Sequence, residues 1–297
     1  MLLVFLMNIL DALMFPFSKI ALKYASPLFL TGFRMALAGI MLLGYQYLFK
    51  KEHFVFPTGY WKPLLFAAFV NIYVTNVLCY WGAHYVTPTK SCFLYNLYPF
   101  AAAFIAYMYL NERLTPYKWL GLCIGFLGTV PLLFTSESGG AMHTGWHFFI
   151  PLPELAIVVS IITDPLGWIF IQKAILHNKC NALMANGLTM FFGGIFALFH
   201  SASVEGWSPL PIVNYKGFLL SALALMLISN IVGSVVYIKL LQKYSITFLA
   251  LSSFIEPLLV GIFDWFLFSL TVPKSFYPSF LVVCLGLYVF YKDELAA

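Results

Sequence analysis

Long apolar stretches, separated by short polar ones, dominate this chain. A helix needs about 20 mainly apolar residues to cross the hydrocarbon core of a bilayer, and ten stretches of the chain are of about that length. No connection between them is large enough to fold as a soluble domain. The pattern therefore predicts an all-α polytopic membrane protein with ten transmembrane helices. The predicted limits are 2–22, 28–49, 62–84, 90–110, 117–134, 150–173, 181–201, 216–240, 246–269 and 276–292.

Composition supports the same class and excludes others. Only 9% of the 297 residues are charged and 62% are hydrophobic, whereas soluble domains carry about 25% charged residues. The net charge of +5 comes from dispersed cations, so we expect membrane lipid around the protein and no nucleic acid. The five cysteines are scattered and form no CxxC pair, so we expect no disulfide framework, metal site or cofactor.

The two halves of the chain repeat each other weakly. A shift of 158 residues places Pro99 on Pro257 and Gly128 on Gly286. Each half holds five predicted helices, and because five is odd, the second half must enter the membrane in the opposite direction. Such inverted repeats are typical of transporters, whose substrate site lies near the midplane between the halves. The predicted units are a first five-helix repeat at 1–135, a linker loop at 136–149 and a second five-helix repeat at 150–297.

Three motifs occur in a definite order and spacing. The second predicted helix reads FLTGFRMALAG, the fourth and fifth read YPFAAAFIAYMYLNERLTPYKWLGLCIGFLGT, and the ninth reads FIEPLLVGIFDWF. Together with ten helices in two inverted halves, they resemble the drug/metabolite transporter superfamily, EamA type, over nearly the whole chain. The resemblance implies secondary transport by alternating access. It also implies a central cavity lined mainly by helices one, three, four, six, eight and nine.

The second half departs from the pattern of the first. Leu110–Thr115 has no clean counterpart, because Phe268–Pro273 occupies the equivalent place. Arg34 is matched by Leu188. Symmetry between the halves therefore cannot assign the role of a residue in this chain.

Small residues recur along the fifth predicted helix. Gly121 and Gly125 are in GxxxG spacing, and Gly128 lies one turn further on. Small residues let helices approach closely. We interpret the Gly121–Gly125 face as a packing surface, either within the chain or in a homodimer.

The ninth predicted helix carries acids in the middle of an apolar stretch. An ionised carboxylate at the centre of a bilayer costs about 2.5–3.5 kcal/mol on insertion scales. We therefore expect Glu256 and Asp264 to face protein or water. Pro257 removes one backbone hydrogen bond and is expected to leave a carbonyl group free near Glu256. With Ser253 close by, this helix predicts a polar site inside the membrane.

Five further predicted helices have a polar side that contact with lipid would not favour. They are the first, third, fourth, sixth and eighth, and with the ninth they give a candidate binding site. For the Ser, Thr and Asn side chains, hydrogen bonding between helices is the alternative role. The predicted substrate-binding residues are Asp11, Asn71, Tyr95, Tyr98, Asp164, Trp168, Asn230, Ser253 and Glu256. For the three acids the alternative is ion pairing, with Lys19, Arg34 or Lys173.

Acids among aromatic side chains indicate the kind of substrate. Charge pairing and cation–π contacts favour an organic cation or zwitterion, such as an amino acid, a polyamine or S-adenosylmethionine. In the resembled family, some members exchange that metabolite for its demethylated product, and others export amino acids or xenobiotics. A multidrug or other metabolite exporter is therefore an alternative. The sequence contains neither HExxH nor GxSxG, so we expect no enzyme; a non-transporting scaffold is the remaining class.

The basic residues predict an orientation that can be tested. With the N-terminus in the cytoplasm, ten Lys and Arg residues fall on the cytoplasmic side and five on the other. This bias favours both termini in the cytoplasm, in a multi-pass protein of the cell inner (cytoplasmic) membrane. A reporter fused after Ala297 should be active in the cytoplasm. Activity in the periplasm alone would contradict this topology.

Overall fold

A computed structural model gives the architecture of the chain. It describes residues 2–51, 54, 56–57, 59–86, 91, 94–110, 115–133, 151–176, 181–268 and 276–296, so the predicted linker at 136–149 lies outside the described residues. Within these ranges the elements are helices joined by short connections, and the predicted all-α class is confirmed. The helices are α1 (Leu2–Ala21), α2 (Pro27–Phe49), α3 (Trp61–Tyr85), α4 (Tyr98–Leu110), α5 (Pro116–Leu133), α6 (Leu152–Leu176), α7 (Ala182–Val204), α8 (Tyr215–Leu241), α9 (246–268) and α10 (Phe276–Ala296).

Seven helices in the described part of the chain are long and apolar enough to cross a membrane, namely α1–α3 and α6–α9. The protein is therefore a multi-pass membrane protein, while the number of ten spans stays a prediction. The fourth predicted helix is interrupted by a turn at residues 96–97, and α4 begins only at Tyr98. This places Pro99 in the first turn of α4, where its missing N–H leaves no hydrogen bond unmade.

Close contacts between glycines and facing backbones join α2 to α7. A Cβ atom at Gly39 would lie 2.5 Å from the backbone N of Phe191, and one at Gly194 would lie 2.3 Å from the backbone N of Ala36. Because both helices lack side-chain bulk at the crossing, their backbones can approach closely.

The glycine face of α5 packs against α10 of the same chain. A Cβ atom at Gly121 would lie 2.8 Å from Cβ of Phe290, and one at Gly286 would lie 2.6 Å from the backbone N of Gly125. Packing within the chain is therefore the role that the structure gives this face. The homodimer alternative through Gly121 and Gly125 stays a prediction, and in this arrangement α10 covers the face.

Helix α2 is capped by a residue from the other half of the chain. Ser26 precedes the helix and makes no side-chain cap. Instead, the Glu205 carboxylate accepts hydrogen bonds from the backbone N–H groups of Leu28 and Phe29, both at 2.9 Å. Ser201 Oγ also donates to Glu205, at 2.6 Å. A carboxylate at this position satisfies free N–H groups and complements the helix dipole.

Three inner helices depart from regular α geometry. Ala68–Thr75 in α3 and Met226–Gly233 in α8 are π-helical, and Ser253–Ile255 in α9 is a 3₁₀ turn. A shift of 158 residues relates the two π segments to each other, and the same shift places the 3₁₀ turn on residues 95–97, where the chain turns before α4. This correspondence supports the predicted repeat, whose inverted orientation stays a prediction.

The packing of α2 on α7 gives a matched pair of substitutions. Gly39→Ala should lower the melting temperature of the purified protein, because the new methyl group meets the Phe191 backbone and overpacking costs about 1–3 kcal/mol. Gly44→Ala on the same helix meets nothing within 4 Å. It should be neutral or stabilising, by about 0.5–1 kcal/mol. Equal melting temperatures for the two variants would contradict the close crossing.

Candidate functional site

A cavity of about 200 Å³ lies between the inner helices. Its walls come from α1, α3, α6, α8, α9 and the residues around the start of α4, with one methionine each from α2 and α7. The cavity thus lies between the helices that the family resemblance implied. All nine predicted site residues line this cavity: Asp11, Asn71, Tyr95, Tyr98, Asp164, Trp168, Asn230, Ser253 and Glu256.

The contact between Asn71 and Asp164 joins α3 to α6 at the cavity wall. Asn71 Nδ2 donates to Asp164 Oδ1 at 2.7 Å and to the Asp164 backbone carbonyl at 3.0 Å. Gly167, one turn after Asp164, makes this approach possible, because a Cβ atom there would lie 2.1 Å from Cβ of Asn71. The side chain of Asn71 is thereby buried and fixed against one of the acids.

Three carboxyl groups face the same cavity. Asp11, Asp164 and Glu256 are each partly buried, and Asp11 lies close enough to both of the others for their charges to interact. Like charges at short range repel strongly away from water. A cation that enters the cavity would relieve this repulsion.

The predicted ion pairs are not found within the described ranges. Arg34 donates to Asn76 Oδ1 at 3.2 Å, and Lys173 donates to the carbonyl of Tyr109 at 2.8 Å. Lys19 is exposed near the end of α1. Among the described residues, therefore, no Lys or Arg forms an ion pair with any of the three cavity acids, and that alternative is wrong.

Aromatic side chains form a second part of the wall. The edge of Phe15 meets Tyr95, with 5.7 Å between ring centroids, and Tyr95 Oη donates to Cys79 Sγ at 2.9 Å. Trp168 packs against Tyr237 with centroids 4.5 Å apart. Trp168 is also next to the carboxyl group of Asp164. Acid and aromatic faces are thus adjacent, the combination that binds organic cations.

The break in α9 positions Ser253 and Glu256. Pro257 cannot donate to the carbonyl of Ser253, and this carbonyl instead accepts from the backbone N–H of Glu256 in the 3₁₀ turn. The expected free carbonyl is therefore not present, because the helix tightens to satisfy it. Ser253 Oγ donates to the carbonyl of Ala250 at 2.7 Å. The side chain of Asp264 lies outside the described residues.

The cavity residues that were not predicted from the sequence include three on α3, namely Asn76, Cys79 and Tyr80. They follow the π segment Ala68–Thr75. A π turn contains about one more residue than an α turn, so a helical wheel drawn at 100° per residue is out of phase beyond it. The sequence does not mark the π segment itself. The adjacent polar residues Thr75 and Asn76 give only a partial signal that this part of α3 faces the cavity.

An all-helical, multi-pass protein with a polar cavity between its inner helices has the architecture of a membrane transporter. The sequence pattern of the EamA-like transporter family matches residues 1–134 and 152–292. The chain belongs to this family, as the resemblance of its motifs implied. It is a transporter and not an enzyme.

Several known proteins are similar over most of the chain. An S-adenosylmethionine/S-adenosylhomocysteine transporter of Chlamydia muridarum is 36% identical, over 98% of this chain and 91% of the relative. A transporter of the same name from Chlamydia trachomatis serovar L2 is 32% identical, over 98% and 89%. A solved crystal structure with 13% identity matches with a TM-score of 0.76, over 97% of this chain and 94% of that chain. This last similarity concerns the fold alone.

The hydrogen bonds of Asn71 give a test of the cavity wall. Asn71→Leu keeps the approximate shape but removes both hydrogen bonds that Nδ2 donates to Asp164. The free energy of unfolding, followed by melting of the purified protein, should fall by about 1–3 kcal/mol, the cost of a buried group without its partner. Val74→Leu lies on the same segment and is the control. Similar melting temperatures for both variants would mean that Asn71 does not stabilise the wall.

Proposed function

We propose that this chain is a secondary transporter that moves a small organic cation or zwitterion through the cavity by alternating access. S-adenosylmethionine and S-adenosylhomocysteine are the first candidates, because relatives at 32–36% identity are named for them. One observation carries the proposal. Three carboxyl groups line the cavity without an ion-pair partner in the described part of the chain, and aromatic rings lie beside them.

The chemistry of S-adenosylmethionine suits these walls. Its sulfonium and ammonium groups are cations, which Asp11, Asp164 and Glu256 would attract. Its adenine is a flat ring system, which could stack on Trp168 or Tyr98. An amino acid would use the acids but leave most of the aromatic surface without a contact, and a neutral drug would leave the acids unpaired at considerable cost. The combined walls therefore favour the nucleoside-bearing cation.

Transport requires the cavity to change size. About 200 Å³ is below the range of about 300–1,000 Å³ that is usual for sites of drug-sized ligands. The proposed substrate therefore enters a wider form, and the π segments in α3 and α8 are places where the walls could rearrange. In this proposal, the two halves at 1–135 and 150–297 form inverted repeats that rock against each other around the cavity.

The architecture of this proposal has independent support. The family pattern matches the two halves separately, at 1–134 and 152–292. The π segments are also related by the shift of 158 residues that relates Pro99 to Pro257. With both termini in the cytoplasm, the protein would lie in the cell inner membrane and exchange metabolites across it.

Flux into proteoliposomes tests the function. Vesicles that contain the purified chain and are loaded with S-adenosylhomocysteine should accumulate labelled S-adenosylmethionine faster than unloaded vesicles. Among unlabelled competitors, S-adenosylmethionine should inhibit uptake most strongly, ahead of free amino acids, polyamines and cationic drugs. Uptake that only drugs compete with would instead favour a multidrug exporter. Absence of uptake together with absence of binding would contradict the proposed substrate.

Glu256→Gln separates a binding role from a structural one. The substitution removes the charge and keeps the shape, so binding of S-adenosylmethionine should weaken by about 1.5–3 kcal/mol, the contribution of a hydrogen bond to a charged group. The melting temperature should stay the same or rise, because the repulsion from Asp11 disappears. If Glu256 is a proton site, exchange should persist while accumulation driven by a pH gradient is lost.

Glu205→Gln is the matched control for this experiment. Glu205 caps α2 and does not line the cavity. Its substitution should lower the melting temperature, since charge-assisted hydrogen bonds to two backbone N–H groups are weakened, and it should leave substrate affinity unchanged. If Glu256→Gln matched the native protein in affinity, melting and driven flux, the cation site would have to lie elsewhere.

A further inference from the structure

Arg34 is a buried cation directly behind the cavity wall. Its side chain is only 1% exposed, yet it lies on α2 in the apolar middle of the molecule. Its Nη2 donates to Asn76 Oδ1 at 3.2 Å, and its guanidinium carbon lies 5.0 Å from the ring centroid of Tyr80. Both Asn76 and Tyr80 line the cavity. Arg34 therefore contacts two side chains of the cavity wall directly.

Several donors at this place have no acceptor. Nε and Nη1 of Arg34 are buried without a hydrogen-bond partner, and so is the hydroxyl group of Tyr80. In the described part of the chain, no carboxylate pairs with Arg34. A buried charge is costly unless it is paired and hydrogen-bonded. The unused donors of a guanidinium form a planar fork that matches the two oxygens of a carboxylate.

The cation and the acids occupy two ends of one hydrogen-bonded chain. Arg34 donates to Asn76, Asn76 Nδ2 donates to the backbone carbonyl of Asn71 at 3.1 Å, and Asn71 Nδ2 donates to Asp164. Groups of opposite charge are therefore separated along α3, with a carboxylate at one end and a guanidinium at the other. A ligand that carries both a cation and a carboxylate could pair its cation with the acid and its carboxylate with the guanidinium.

We propose that Arg34 recognises the carboxylate of the substrate. The carboxylate replaces the Asn76 side chain as acceptor and takes hydrogen bonds from the Arg34 fork and the Tyr80 hydroxyl group. This inference rests on the proposed function, in which the substrate is an amino-acid derivative. It assigns the cavity a second subsite, for an anion, and it makes Arg34 a specificity-determining residue that selects substrates with a free carboxylate.

The test compares two ligands on the full-length purified chain. S-adenosylmethionine carries the carboxylate, and its decarboxylated form lacks it. For the native protein, the decarboxylated form should bind at least about tenfold more weakly, as expected for the loss of a charge-assisted hydrogen bond. In Arg34→Gln this ratio of affinities should fall most of the way to one, because only the Tyr80 hydroxyl group is left to hydrogen-bond the carboxylate. In Arg34→Lys it should be intermediate, because lysine keeps the charge and loses the fork.

Two further variants keep the test decisive. Tyr80→Phe removes only the hydroxyl group, so it should fold even if Arg34→Gln does not. It should lower the ratio of affinities, because it weakens the binding of S-adenosylmethionine and not that of the decarboxylated form. Thr31→Val, one turn before Arg34 on α2 and outside the cavity wall, is the control and should leave the ratio as in the native protein.

Each result has a defined meaning. A ratio that stays at its native value in the Arg34 and Tyr80 variants, with both affinities reduced together, would show that Arg34 only supports the wall, and the inference would be wrong. Equal binding of both ligands to the native protein would also overturn it while leaving the proposed function intact. Binding of neither ligand to the native protein would overturn the proposed function, and this inference with it.

Discussion

The cost of placing a charge away from water inside a bilayer governs this structure. Four acidic or basic side chains lie at the cavity or directly behind its wall, namely Asp11, Arg34, Asp164 and Glu256. None of them can face lipid without a cost of about 2.5–3.5 kcal/mol or more. Helices that carry such groups must therefore turn them toward one another. The polar side chains therefore gather at one cavity, while apolar side chains pack between the helices elsewhere.

Glycine contacts in the outer helices set where the inner helices lie. A Cβ atom at Gly193 of α7 would lie 2.4 Å from Cβ of Ile72, which belongs to the π segment of α3 and lines the cavity. A Cβ atom at Gly125 of α5 would lie 2.6 Å from the ring of Phe254, in the 3₁₀ turn of α9. The outer pairs thus support two of the three irregular segments, those of α3 and α9. A substitution at these glycines would move cavity residues that it does not touch.

The sequence predicts which residues line the cavity better than it predicts which residues hydrogen-bond to each other. The cost of intramembrane acids and the polar sides of six helices were enough to place nine residues around one cavity. They were not enough to place Asn76 as the partner of Arg34 or Glu205 as the cap of α2, because these contacts join residues 42 and 177 positions apart. Hydropathy shows which side of a helix is polar, but the choice of partner depends on helix packing.

The π segments explain why polar side chains concentrate where the cavity is. A π segment leaves the carbonyls of the helix with altered partners, and side chains satisfy some of them: Thr75 Oγ1 donates to the carbonyl of Val70 at 2.9 Å, and Asn76 Nδ2 to that of Asn71 at 3.1 Å. In α8, Ser234 Oγ donates to the carbonyl of Asn230. The groups that stabilise the irregular backbone are therefore also groups that line the cavity. A return of either segment to α geometry would rotate the cavity residues that follow it while those before it stay in place. Since both segments are followed by wall residues, a change in helical register could widen the cavity without separating the outer helix pairs.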